Sequence, residues 1–62
     1  MSEARADQDL LEVLGRNPGL TEANMRSYLR GEHGNSTALD RALATGRVVR
    51  RGHNLYRIED AR

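Results

Sequence analysis

The chain has 62 residues and a formal net charge of +1, carried by ten arginines against nine acids, with no lysine, cysteine, phenylalanine or tryptophan. That length is one small domain, able to bury only about 60% of its unfolded surface. The absence of cysteine excludes a disulfide framework and any thiolate metal site. His33 and His53, twenty residues apart, have no regular spacing to other ligands, so no metal is expected and the core must stabilise the chain alone. No segment looks like a signal peptide. No apolar run approaches the roughly twenty residues of a membrane span, Leu10-Leu11 and Val48-Val49 being typical. The expectation is a cytoplasmic protein with no membrane partner.

Charge is unevenly distributed. Residues 1–32 hold six acids and four arginines, residues 33–62 six arginines and three acids. Between Arg41 and Arg57 there are five arginines and no acid. Such asymmetry points toward an anionic partner, although exclusive use of arginine also fits a GC-rich genome.

In chain order, residues 1–6 lack apolar periodicity and read as a disordered start. From Asp7, Leu10, Leu11, Val13 and Leu14 fall within an arc of about 160°, the buried face of a first helix. Gly15-Arg16-Asn17-Pro18-Gly19 ends it. Thr21 is a good N-cap for a second helix, with Glu22 in its first turn. Met25, Tyr28 and Leu29 lie on one side of that helix and Arg26, Ser27 and Arg30 on the other, until Gly31 to Gly34 break it. Asn35, Ser36 or Thr37 can cap a third helix, over about 36–45, and Thr37-x-x-Asp40 has capping-box spacing. Ala38, Leu39, Ala42 and Leu43 share its apolar arc, and Gly46 follows as the C′ residue.

The remainder reads as a hairpin. Arg47–Arg50 and Leu55–Ile58 are strand-like, and Gly52-His53-Asn54 supplies the turn. A slip of one residue decides whether Val48 or Val49 faces inward. Residues 59–62 read as a solvated tail, leaving one domain over 7–58. Leu10, Leu14, Leu20, Leu29, Leu39, Leu43 and Ile58 are the expected core. The fold class is α+β, mainly α.

Three phrases carry a family resemblance. Leu10-Leu11-x-x-Leu14 leads into Pro18-Gly19-Leu20-Thr21. Ser36-x-x-Leu39-x-x-Ala42-Leu43 leads into Gly46-x-Val48, and Gly52 through Tyr56-x-Ile58 closes the chain. Together they resemble the winged helix-turn-helix superfamily over roughly residues 7–58. A fainter likeness is to winged-helix modules of plasmid and phage replication proteins, in which Pro-Gly-Leu precedes Ala-Leu-x-x-x-Leu-x-x-x-Gly. Here Leu43-Ala44-Thr45-Gly46 shortens that pattern. The resemblance implies a helix-turn-helix from the second and third helices, the third lying in the major groove of DNA. The hairpin is then a wing on phosphate or a neighbouring minor groove, and the link around Gly19-Leu20 adds one strand pairing to it. One departure is that the outer face of the third helix carries a single cation, Arg41, beside Asp40.

The candidate DNA-binding residues are Asn35, Ser36, Thr37, Arg41, Arg47, Arg50, Arg51, His53, Asn54 and Arg57. Asn35, Ser36 and Thr37 sit where free amides and the helix dipole accept phosphate, or they serve only as caps. Arg41 reads guanine or else pairs with Asp40 or Glu32. Arg47, Arg50, Arg51 and Arg57 hold phosphate, or they are charges guarding an edge strand. His53 sits at the wing tip; Asn54 contacts DNA there or supplies a positive φ for the turn. Tyr28 and Tyr56 are assigned to the core rather than to base stacking. No catalytic triad, nucleotide loop or cofactor motif is present, so neither an enzyme nor a small-molecule substrate is expected. The leading expectation is double-stranded DNA binding, in transcription regulation or replication, strengthened by dimerisation or fusion to a larger parent protein. The alternative is a winged helix that docks another protein, with the acidic first half as its docking face.

Overall fold

The computed structural model describes residues 3–59, in which three helices precede one antiparallel hairpin: α1 (Glu3–Arg16), α2 (Glu22–His33), α3 (Thr37–Ala44), β1 (Val48–Arg51) and β2 (Asn54–Arg57). The mainly helical three-helix-plus-hairpin architecture is the one expected. Helix α1 begins at Glu3 rather than at the expected Asp7, so residues 3–6 are helical; residues 1 and 2 lie outside the described part. Its early turns pack little: Ala6 meets the core edge while Glu3, Ala4 and Arg5 are exposed, which is why they lack an apolar signal. Of the expected tail, Glu59 is exposed and 60–62 lie outside the described residues.

Thr21 caps α2 as its sequence suggests, accepting a hydrogen bond from the Asn24 amide. Gly31 does not break the helix. The helical ladder is already established from Glu22 to Arg30, and α2 runs on to His33 and ends at Gly34. The Thr37-x-x-Asp40 capping box does not form. Asn35 Oδ1 accepts from the Thr37 amide (3.1 Å) and hydroxyl (2.6 Å) instead, and Asp40 turns toward α2.

The hairpin pairs Val48 with Arg57, Val49 with Tyr56, Arg50 with Leu55 and Arg51 with Asn54, leaving Gly52-His53 as a two-residue turn. Gly52 alone of the two has positive φ, at 64°. Glycine at the first central position suits a hairpin turn whose twist matches the strands. Asn54 is therefore not the positive-φ residue; it is the first residue of β2.

Opposed residues share a face. Val48, Arg50, Leu55 and Arg57 thus lie on the inner face, and Val49, Arg51, Asn54 and Tyr56 on the outer. Val48 and Leu55 are buried. The expected core position of Ile58 is corrected: it is 52% exposed. Leu55 and Ile58 are three positions apart, so a strand that buries one turns the other out.

The residues before α2 complete a third, short pairing on the far edge of β2. Gly19 N–H donates to Leu55 O (3.1 Å), Leu55 N–H to Leu20 O (2.8 Å) and Glu22 N–H to His53 O (2.9 Å). Gly19 has φ 82°, and a side chain there would also meet the Tyr56 hydroxyl, which closes over it. The core at the meeting point of all elements is Leu10, Leu14, Met25, Leu29, Ala38, Leu39, Ala42, Val48 and Leu55. Leu20 and Leu43, expected inside, pack against it half-buried. Among the described residues no helix is long and apolar enough to cross a membrane.

Candidate nucleic-acid interface

The turn between α2 and α3 is Gly34-Asn35-Ser36, and the sequence-predicted residues at its end adopt different roles. Asn35 and Thr37 are exposed and hydrogen-bond each other. Ser36 Oγ accepts from Arg26 Nη1 (3.3 Å), which fixes the start of α3 on α2. Arg26 is the hub of this region. Its guanidinium donates to Glu22 Oε2 from Nε (3.1 Å) and Nη2 (3.0 Å), and to Asp40 Oδ1 (3.0 Å).

Arg41 does not pair with Asp40 or Glu32. It turns back to α1, where Nη2 donates to Asp7 Oδ1 at 2.8 Å and Nη1 lies 3.8 Å from Glu3. With its side chain one-third exposed, this pair latches α3 onto α1. A base contact by Arg41 would have to break that latch.

The arginines of the hairpin separate into three settings. Arg57, on the inner face, places its guanidinium beside Gly15 in the last turn of α1; a Cβ at Gly15 would sit 2.7 Å from its Cζ. A cation there complements the helix dipole, which accounts for Arg57 without a ligand. Arg50 lies at the rim of the same face, and its Nε donates to Glu22 Oε1 at 2.7 Å. Arg47 and Arg51 are exposed with His53, Arg47 standing 3.9 Å from Asp7. Asn54 is half-buried and bridges to Thr21. The structure therefore joins Ser36 to Arg50 through Arg26 and Glu22, leaves Arg51 and His53 exposed toward the end of the hairpin, and sends Arg57 to the end of α1.

Sequence reasoning missed Arg26 and Glu22, the two residues that join Ser36 to Arg50. Their i, i+4 spacing on α2 was a signal for a pair. The hydrogen bonds of Arg26 and Arg50 hold the Glu22 carboxyl below its usual pKa, Arg26 contributing most.

A second cluster lies between α1 and α2. A groove of about 600 Å³ between α1 and α2 is lined by Glu12, Glu32 and Arg5 around a clip of three side chains. In the clip the Tyr28 hydroxyl donates to Asp9 Oδ2 (2.8 Å), and His33 Nε2 lies 2.8 Å from the same oxygen. The His33 contact, then Tyr28, lower the Asp9 pKa against the cost of partial burial, and the bond to Asp9 raises that of Tyr28. Among the described residues no group of three His, Asp or Glu side chains is arranged to hold a metal ion. No family model matches the chain, and neither a curated protein nor a solved structure shows significant similarity to it.

Proposed function

We propose that this chain is a winged helix-turn-helix module that binds double-stranded DNA mainly through phosphate. The observation that supports this reading is the cationic hairpin, with Arg47, Arg50 and Arg51 exposed, joined to the start of α3 through the hydrogen bonds that link Arg50, Glu22, Arg26 and Ser36. Phosphate contacts by arginine position a protein on a duplex without reading sequence. With Arg41 latched to Asp7, base reading falls to Asn35, Ser36 and Thr37, so sequence discrimination is weak and affinity depends on salt. A lone domain of this kind gains useful affinity by dimerising or by belonging to a larger replication or regulatory protein.

The test is the salt dependence of binding to a random duplex. Each arginine on phosphate contributes about 0.9 to the slope of log affinity against log salt. Replacing Arg47 and Arg51 by Ala should flatten the slope by up to about 1.8, equally for every sequence. Arg57→Ala should leave it unchanged and lower stability by about 0.3–1 kcal/mol, the value of a cation at a helix end. An unaltered slope in the double variant would contradict the reading.

A second reading has one observation in its favour. The charged groups of α3 are already engaged, Arg41 by Asp7 and Asp40 by Arg26, while the acidic groove between α1 and α2 stays open. Docking of a basic protein segment in that groove fits this state, and absence of duplex binding even at low salt would select it.

A further inference from the structure

Glu22 is a carboxylate on which arginines from two elements converge within hydrogen-bond distance. Oε1 accepts from Arg50 of the hairpin at 2.7 Å, and Oε2 accepts twice from Arg26 at 3.0 and 3.1 Å. Arg26 also reaches Ser36 at the start of α3. Two guanidinium groups thus converge on a small oxyanion, and one of them, Arg26, also ties it to Ser36 and Asp40 of the α3 region. Guanidinium forks accept carboxylate and phosphate oxygens by the same geometry. The assembly is open to solvent: the side chains of Glu22 and Arg26 are 25% exposed and that of Arg50 49%.

We propose that Arg26 and Arg50 form a backbone-phosphate site of DNA that Glu22 fills in the free protein, so that binding requires a phosphate to displace the carboxylate. This rests on the DNA-binding reading above and adds to it a residue that restrains binding. The carboxylate preorganises both guanidiniums in the geometry a phosphate needs. Together with Asp40, which also accepts from Arg26 at 3.0 Å, it offsets the charge of both arginines, which weakens attraction to random duplex. Partly exposed pairs of this kind are weak enough to exchange. The hydrogen bond from Arg26, and then that from Arg50, hold the Glu22 pKa below its usual value, so the carboxylate is charged and the restraint operates at neutral pH.

The test compares wild type, Glu22→Gln and Glu12→Gln on a random-sequence duplex over a range of salt. Glu12 pairs with its helix neighbour Arg16, so E12Q removes the same charge away from Arg26 and Arg50. E22Q should steepen the slope of log affinity against log salt by about 0.9, since it releases Arg50 while Asp40 still holds Arg26. It should raise low-salt affinity tenfold or more, and adding Arg50→Ala should reverse much of the gain. Equal behaviour of E22Q and E12Q, with wild type binding, overturns this inference and leaves the DNA reading standing. Absence of duplex binding by all of the proteins overturns both. Glu22→Ser provides a second variant with the Thr21 cap retained. Loss of fold in both E22Q and E22S also overturns the proposal, since a carboxylate that phosphate displaces cannot be essential to the fold.

Discussion

Two glycines that flank α2 and interrupt it in the sequence have opposite structural meaning. Gly31 lies within α2, exposed, with nothing within 4 Å of where a Cβ would be. Gly31→Ala should therefore stabilise the chain by up to about 1 kcal/mol, the difference in helix propensity, and raise Tm by several degrees. Gly19 holds φ 82° under Tyr56, and a methyl group on its Cα would lie 3.1 Å from the Tyr56 hydroxyl. Gly19→Ala should cost about 1–2 kcal/mol from the left-handed conformation alone. Thermal melts of the two variants that moved in the same direction would contradict these placements. Local chemistry of this kind was partly legible in the sequence. Thr21 could be identified as a cap because its partner, Asn24, is three residues away. The role of Arg41 could not, because its partner Asp7 is 34 residues away and no local pattern marks it. The Thr37-x-x-Asp40 spacing misled for a related reason: Arg26 on another helix draws the Asp40 carboxylate away.

At the scale of elements, helix order and helix faces followed from periodicity, since Leu10, Leu14, Met25, Leu29 and Leu39 are all fully buried. The hairpin was less legible. Its strands are four residues long, too short for alternation to fix the register, and the register decides which residues face in. Putting Leu55 inside turned Ile58 out and sent Arg57 to the end of α1. The α1–α2 clip makes a separate prediction about acid. Asp9 has a lowered pKa in the folded chain, from His33 first and Tyr28 also. A lowered carboxyl pKa contributes stability that is complete above the unfolded value, 3.8, and is lost as pH falls through the folded value. Asp9→Asn should thus be less stable than wild type at neutral pH, by about 1 kcal/mol given the clip's partial exposure. The difference should shrink as pH drops below the carboxylate range. A Tm difference that stays constant from neutral pH to strong acid would show that the Asp9 charge holds nothing.

Charge on the whole molecule is gathered in clusters. Arg26 and Arg50 meet at Glu22, Arg47 lies near Asp7, Arg51 is exposed on the hairpin, and Glu12 and Glu32 line the groove between α1 and α2. The sequence showed an acidic first half and a basic second half. It could not show that Arg26, from the acidic half, meets Ser36 and Asp40 at the start of α3, because only the packing of α2 against α3 brings it there. A duplex attracted to this molecule should meet the arginines at Glu22 and on the hairpin, with the groove between α1 and α2 left in solvent. The most direct measurement is an amide-shift titration of the folded chain with a random-sequence duplex at low salt. The account predicts shifts concentrated at Asn35, Ser36 and Thr37, from Arg47 to His53 and around Glu22, fading together as salt is raised. Shifts confined to the groove lined by Glu12 and Glu32, or no shifts at any salt, would contradict it.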